Sequence, residues 1–394
     1  MIVEWFQLEL AEWIAISVML VMFFIQLWYY FYYYRSVIKQ AREQRNSTLP
    51  ENTEQPPVSV IICAHDQADK LEDNLPLFLK QIYPEYQIVV VNDASTDNTE
   101  DVLTRLEQRY DNLYHTFVPA GVLSASAKKM AVTIGIKAAK YEHLLFTEPD
   151  CIPASDRWIE SMVSSVDDSC GIVLGYSSFT SVKGFMKNFV IYDTLFTSLQ
   201  FMGFAKSGHP FMGFGSNLAY KKELFFKNKG FASHLILKSG DDDLFIGEIA
   251  NANNTRIEIS PESKILISRP NLWHFWKDQK LSHFPTSACY KKGIKFRLSL
   301  EMTTRVLFYC LFLLSLIYGS CTGNLLMVLS SSALFVIRCT IQLIIVNKSA
   351  RLLDERRFYV NLPFYDFITP IIRFYLWINH FAHRSSAYTW QTLR

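Results

Sequence analysis

The sequence predicts an α/β domain, a mostly parallel sheet with helices on both faces, carried alongside transmembrane helices. Three observations lead there. Between residues 58 and 146, short apolar runs alternate with helical patterns, the texture of parallel strands joined by crossover helices. Apolar stretches at residues 11–34, 306–319 and 325–346 approach the roughly 20 residues that cross a bilayer. A polar segment, residues 36–56, separates the first stretch from the strand-rich block.

Composition agrees with this division. Hydrophobic residues make up 50% of the 394-residue chain, aromatics 15% and charged residues only 19%, a balance that suits a globular domain plus membrane segments. The net charge of +2 and the absence of a long Lys/Arg block give no reason to expect a nucleic-acid partner. The seven cysteines stand singly at 63, 151, 170, 289, 310, 321 and 339. Without CxxC or Cys/His spacing they indicate neither a disulfide framework nor a zinc site, and a reducing cytoplasmic setting is the simpler reading.

Taken in order, residues 1–35 form an anchor. Its apolar run is too long for a signal peptide, no small-residue cleavage site follows, and the amino end is acidic. The aromatic cluster at residues 28–34 suits a membrane interface. Glu4, Glu9 and Glu12 precede the run while Arg35, Lys39, Arg42 and Arg45 follow it, so the charge rule places the following residues in the cytoplasm. Residues 36–56 read as a linker and 57–300 as the cytoplasmic domain. Residues 301–347 read as a transmembrane hairpin flanked by basic residues on both sides. Arg338 inside that hairpin is costly in lipid and is expected to face a neighbouring helix or the soluble domain. In the tail, 348–394, residues 362–382 are either a fourth span or an interfacial helix. Asp366, Pro370 and Arg373 interrupt the apolar run and favour the interfacial reading.

Within the soluble block, strands are expected at 58–63, 87–91, 116–119 and 143–146, with helices at 69–81, 99–110 and 126–140. Ligands of such a sheet bind at the carboxyl ends of the strands. There stand Ala64-His65-Asp66-Gln67, Asn92-Asp93-Ala94-Ser95-Thr96-Asp97 and Thr147-Glu148-Pro149-Asp150. Asp97, just before Thr99 and Glu100, reads as turn and cap chemistry. Three acidic strand ends on one edge are harder to dismiss as turns.

These segments resemble the family 2 glycosyltransferases, which share the GT-A nucleotide-diphospho-sugar transferase fold. The likeness runs over residues 57–292. VSVIICAHDQ is similar to the family's opening strand and loop, and VVVNDASTDNT to its VDDGSTDGT motif. SAKKMAVTIGI resembles the Lys-containing segment, FTEPDCIP with Trp158 the DxD segment, and SGDDDLF the acidic motif that supplies the general base. The resemblance implies inverting, metal-dependent transfer of a sugar from a nucleoside-diphosphate donor, UDP-linked before GDP-linked, to a glycan or lipid-linked acceptor at the membrane.

Residue by residue, Ala64, His65, Gln67 and Asp93 would line the nucleotide. Asp93 would accept hydrogen bonds from base or ribose, with a plain helix cap as the alternative. His65 stands where the family has an aromatic and either stacks on the base or is structural. Lys128, rather than Lys129, aligns with the family's Lys and would contact the donor; a solvated pair is the alternative. Asp150 would be the Mg²⁺ or Mn²⁺ ligand, since the leaving diphosphate's charge needs neutralising. Glu148 departs from the usual Asp, so its role is open. Among Asp241, Asp242 and Asp243, mutual repulsion raises at least one pKa, as a base working near neutrality requires. Counting from Gly240 favours Asp242, counting back from Leu244 favours Asp241, and Asp242 is the choice. The triplet lacks the spacing of a calcium loop. Gly213 in a glycine-rich turn, Trp273, Trp276 and Gln279 read as acceptor-facing, and residues 185–204 as an amphipathic stretch bringing the site to the bilayer. Where processive synthases have QxxRW, this chain reads Gln279-Lys280-Leu281-Ser282-His283, which favours adding one or a few sugars over polymer synthesis. A catalytically silent nucleotide-sugar-binding scaffold is the remaining alternative.

Overall fold

The computed structural model describes residues 9–46, 55–119, 126–164, 166, 170–180, 186–269 and 271–382. Glu4, Phe185 and the far end of the tail lie outside these residues. The elements run α1 (Leu10–Trp28), α2 (Arg35–Asn46), β1 (Val58–Ala64), α3 (Ala68–Leu79), β2 (Tyr86–Asn92), α4 (Thr99–Glu107), β3 (Leu113–Phe117), α5 (Ala127–Ala138) and β4 (His143–Thr147). They continue with β5 (Cys151–Pro153), α6 (Trp158–Val163), β6 (Ile172–Gly175), β7 (Ser177–Phe179), α7 (Lys187–Lys206), β8 (Leu218–Lys221), α8 (Lys222–Lys227), α9 (Asp243–Ile249), β9 (Thr255–Glu258) and β10 (Ile265–Ile267). Four long helices close the chain: α10 (Leu272–Ser287), α11 (Lys292–Thr322), α12 (Leu325–Leu352) and α13 (Asn361–Ala382).

The main sheet has the order β3-β2-β1-β4-β8-β6-β9. Its first four strands are parallel, β8 runs antiparallel to both β4 and β6, and β9 is parallel to β6. Every residue of β1 is buried, which explains its continuous apolar run: a central parallel strand is covered on both faces. Alternate residues divide between the two faces. Val58, Val60 and Ile62 pack in one core with Leu71, Leu75 and Leu103, while Ile61 and Cys63 pack in the other with Ala131 and Ile136. A Cβ on Gly135 would come 2.7 Å from the Ile61 side chain, so this glycine lets α5 lie close on β1. A small second sheet, β5-β10-β7, pairs β5 antiparallel with β10.

The sequence places β3 three residues late, because Leu113 is its buried residue and its outer end is exposed. Part of the expected linker is also helical. A π-helical turn at Tyr29–Tyr34 joins α1 to α2, with the Arg35 N–H reaching back to the Tyr30 carbonyl. Residues 35–46 thereby remain helical and pack Val37, Ile38 and Ala41 into the core. Helix α7 is not the amphipathic surface expected. From Phe189 to Ala205 all but one residue is buried, because α7 packs against α2, α10, α13 and the π turn at once. At Gly203 an added Cβ would stand 2.7 Å from the Tyr33 carbonyl oxygen, so backbone meets backbone there.

Among the described residues, three helices are long and apolar enough to cross a membrane: Leu10–Asn46, Lys292–Thr322 and Leu325–Leu352. Helix α13 is not among them. Its outer face exposes Phe364, Ile371, Phe374, Tyr375 and Trp377, whereas Asp366 is turned inward and fully buried. Arg338 does meet a neighbouring helix: it pairs with Asp366 at 2.8 Å and donates to the Tyr309 hydroxyl at 3.1 Å and the Gln26 side chain at 3.2 Å. Arg305 contacts the other Asp366 oxygen at 3.2 Å and also pairs with Glu301. Asp366 is therefore the counter-charge of the hairpin arginines, while Arg373 pairs with Asp193 of α7 at 3.3 Å.

Candidate active site

Two loops after β1 and β2 build one wall. The Asp93 N–H donates to the Ala64 carbonyl at 2.8 Å, and His65 Nδ1 lies 2.5 Å from the Asp93 carbonyl oxygen, so Nδ1 carries the proton. Asp66, with φ 50°, accepts from the Thr96 N–H at 2.7 Å and the Thr96 hydroxyl at 3.1 Å. Its own N–H donates to Ser95 Oγ at 3.0 Å, and the Gln67 N–H to Thr99 Oγ1 at 3.2 Å. The loops thus brace each other, and His65 serves as a strut between them. Asp97 accepts from the Thr99 N–H at 3.0 Å, the expected turn chemistry. Asp93 differs: its Oδ2 is buried with no hydrogen-bond partner, and burial pushes its pKa upward despite His65 nearby.

The opposite wall comes from the end of β4 and the start of α5. Lys128 Nζ bridges Glu148 at 3.0 Å and Asp241 at 3.2 Å. Burial opposes its charge, yet the surrounding carboxylates raise its pKa well above the ordinary lysine value. Glu148 is half-buried, which works against its charge, but Lys128 and then Arg269 hold its pKa below the usual value. Lys129 is engaged elsewhere, donating to the His234 and Leu237 carbonyls at 2.7 and 2.8 Å. Lys128, Glu148, Asp241 and Asp242 line one pocket with Cys63, Thr147 and Gly215. Next to it Asp150 is fully buried against Arg269. Burial, opposed by Arg269 and assisted by Glu148, pushes the Asp150 pKa up to about 6.

The acidic triplet separates into three environments. Asp241 faces Lys128. Asp242 caps α9, taking the Asp243 N–H at 2.7 Å on one oxygen and the Gly215 N–H at 3.1 Å on the other. Its pKa rises to about 6, through burial and then the charge of Asp241, with His283 opposing. Asp243 is fully buried and saturated: one oxygen accepts the Leu244 N–H at 2.7 Å, the other faces His283 Nδ1 at 3.0 Å, the Tyr290 hydroxyl at 2.8 Å and the Thr286 hydroxyl. Burial works against the charge of Asp243, but His283 and these donors hold its pKa below the usual value. Ligand atoms of Asp242, Asp243 and His283 lie within 4.8 Å of one another, a spacing a metal ion accepts. The saturated Asp243 already has its full complement of donors, so we read this group as a hydrogen-bonded anchor.

Residues 59–226 match the model of "Glycosyl transferase family 2". Residues 59–226 form a family 2 glycosyltransferase domain. The chain is similar to the poly-beta-1,6-N-acetyl-D-glucosamine synthase of Staphylococcus epidermidis, 28% identical over 99 residues, 25% of this chain and 23% of that protein. It is also similar to the glycosyltransferase AglE of Haloferax volcanii, 30% identical over 132 residues, 33% of this chain and 42% of that protein. These matches span less than half the length of either relative. Among solved structures, the mannosyltransferase PcManGT of Pyrobaculum calidifontis, determined with GDP-Man and Mn2+, superposes with a TM-score of 0.55 at 19% identity over 96% of this chain and 100% of that one. That likeness shows the GT-A fold.

The fold places the residues expected to face the acceptor less uniformly. Gly213 lies in the core, where a Cβ would be 3.0 Å from Leu174 and 3.2 Å from Leu218. Trp276 is fully buried, its Nε1–H donating to Asp193 at 2.8 Å, so it offers no face to a sugar ring. Neither is placed to face an acceptor: Trp276 of α10 packs on α7, and Gly213 is enclosed by residues of β6, β8 and α9. Trp273 stacks on Trp276 at 5.0 Å and is half-buried, as is Gln279. Lys280 pairs with buried Asp193 at 2.6 Å. Sequence reasoning missed Arg269 and His283. Nothing in the local sequence singled out Arg269, whereas His283 sits at the departure from QxxRW and its replacement of the tryptophan was the available signal.

Proposed function

We propose that this enzyme transfers a sugar, with inversion, from a nucleoside-diphosphate sugar to a lipid-linked or membrane-proximal glycan. The observation that supports it best is one pocket that gathers Lys128, bridging Glu148 and Asp241, together with Asp242, while Asp93, with a free buried oxygen, closes β2 beside the pocket-lining strand β1. Asp93 receives donors of the nucleoside, and the braced loops keep it rigid so that little ordering entropy is lost on binding. The residues also fit a divalent cation. Glu148 and Asp150 stand at one strand end, and the buried Asp150 carboxylate is held by a guanidinium that supplies the positive charge such an ion would bring. When bound, Mg²⁺ or Mn²⁺ would neutralise the diphosphate of the leaving nucleotide.

In this reading Asp242 takes the proton from the acceptor hydroxyl as its oxygen attacks the anomeric carbon. The Asp243 anchor and the Gly215 N–H fix its orientation. Asp241 remains committed to Lys128, which is directed to the donor. The basic residues after α1 set the domain on the cytoplasmic side. The partial matches to poly-beta-1,6-N-acetyl-D-glucosamine synthases favour polymer synthesis as a second reading, which product length decides.

Asp242→Asn is expected to lower transfer by at least about 100-fold, the usual worth of a general base, while donor affinity stays within about twofold. Asp241→Asn is expected to weaken donor binding instead. Full activity of the Asp242 variant, or loss of base function only in the Asp241 variant, refutes the assignment.

A further inference from the structure

Asp150 stands at the head of β5, and its counter-charge comes from just beyond the partner strand β10. The β5–β10 pairing sets Ile267 opposite Cys151, and the Ser268 N–H donates to the Asp150 carbonyl at 3.0 Å. That register delivers Arg269 directly to the Asp150 carboxylate. The guanidinium also lies 4.6 Å over the Phe275 ring. Its side chain is 15% exposed and that of Asp150 0%. A group held by a strand end and an aromatic face is positioned, not draped over the surface.

We infer that Arg269 is the resident counter-cation of Asp150 and exchanges with the divalent ion. The inference rests on the reading of Asp150 as the metal ligand. A buried carboxylate left without a partner is costly, so Arg269 keeps the empty cleft charge-balanced. A divalent ion arriving alone must displace the guanidinium and feel its repulsion. An ion arriving with a diphosphate gives the displaced guanidinium a new anionic partner, and Arg269 forks suit phosphate oxygens. Metal alone is therefore bound weakly, and metal with nucleotide tightly, which limits exposure of the charged cleft when no donor is present.

The test is Mn²⁺ binding to the purified full-length protein in detergent, followed by the electron paramagnetic resonance signal of free Mn²⁺, with no nucleotide added. Arg269→Gln is expected to lower the Mn²⁺ Kd by about tenfold or more, because a unit positive charge near the ion is removed. Asp150→Asn in the same background is expected to abolish that gain. Should Arg269→Gln fail to fold, Arg269→Lys decides: its compact ammonium holds the carboxylate less firmly, and the Kd falls by about threefold. An Mn²⁺ Kd in the Arg269 variants equal to or weaker than native, with native binding lost in Asp150→Asn, overturns the exchange and leaves the metal reading standing. Mn²⁺ binding that is indifferent to Asp150 overturns both.

Discussion

The environment of Asp242 makes its pH dependence a sharp test. With a pKa of about 6, the carboxylate is ionised in about nine-tenths of molecules at pH 7 and about one-tenth at pH 5. If Asp242 is the base, kcat/KM rises with pH, reaches half its plateau near pH 6, and is about tenfold below plateau at pH 5. Burial and then the Asp241 charge raise this position, and His283 opposes them. It is held close to Asp243 at 3.0 Å, and although burial disfavours its charge, the Asp243 carboxylate raises its pKa on balance. The resulting imidazolium lowers the pKa of Asp242 against the effects of burial and Asp241; Lys128 acts the same way, and Asp243 the opposite. Removing the imidazolium in His283→Gln is expected to move the acid limb upward by about one pH unit, with little change in the plateau. The assay is radiolabelled sugar transfer in detergent from pH 4.5 to 8.5, with circular dichroism at each pH. Unfolding does not imitate this limb. A carboxyl whose pKa is raised by folding contributes stability that is present below its unfolded value and lost as pH rises through about 6, the reverse direction. Asp243 and Glu148, whose pKa values are lowered by folding, lose their contributions only below the ordinary carboxylate range. A half-point below pH 5 in the native enzyme, or a limb unmoved in His283→Gln, refutes the reasoning.

Two further outcomes test the scaffold. Asp366→Asn takes from Arg338 its carboxylate partner and leaves Arg305 with Glu301, and is expected to destabilise the protein by about 3–5 kcal/mol; the Asp366→Leu/Arg338→Met pair recovers most of it, read by thermal unfolding in detergent. Gly203→Val pushes a side chain into the Tyr33 carbonyl and is expected to cost about 1–3 kcal/mol or more, with Gly203→Ala milder by the same measurement; equal stability of Val and wild type counts against the close approach.

The sequence by itself determined the alternating α/β architecture, the three membrane-length helices and the strand ends that carry Asp93, Glu148 and Asp150. These are local properties: hydrophobic period, run length and turn residues record them directly, and a central strand such as β1 shows its burial in its composition. It determined much less about which carboxylate does what. Asp241, Asp242 and Asp243 are chemically identical neighbours, and what divides them is Lys128 from α5, the Gly215 N–H, and His283, Thr286 and Tyr290 from the region of α10. Those partners are 27 to 113 residues away along the chain, so no local pattern encodes them. The same distance hid the Arg269–Asp150 pair and the role of Asp366, which reads as a defect in an apolar tail until the fold brings Arg338 to it. Packing also reassigned Trp276 and Gly213 to the interior. Periodicity fixes which residues face a core, but only the tertiary structure decides which charges meet there, because a buried charge is defined by its partner.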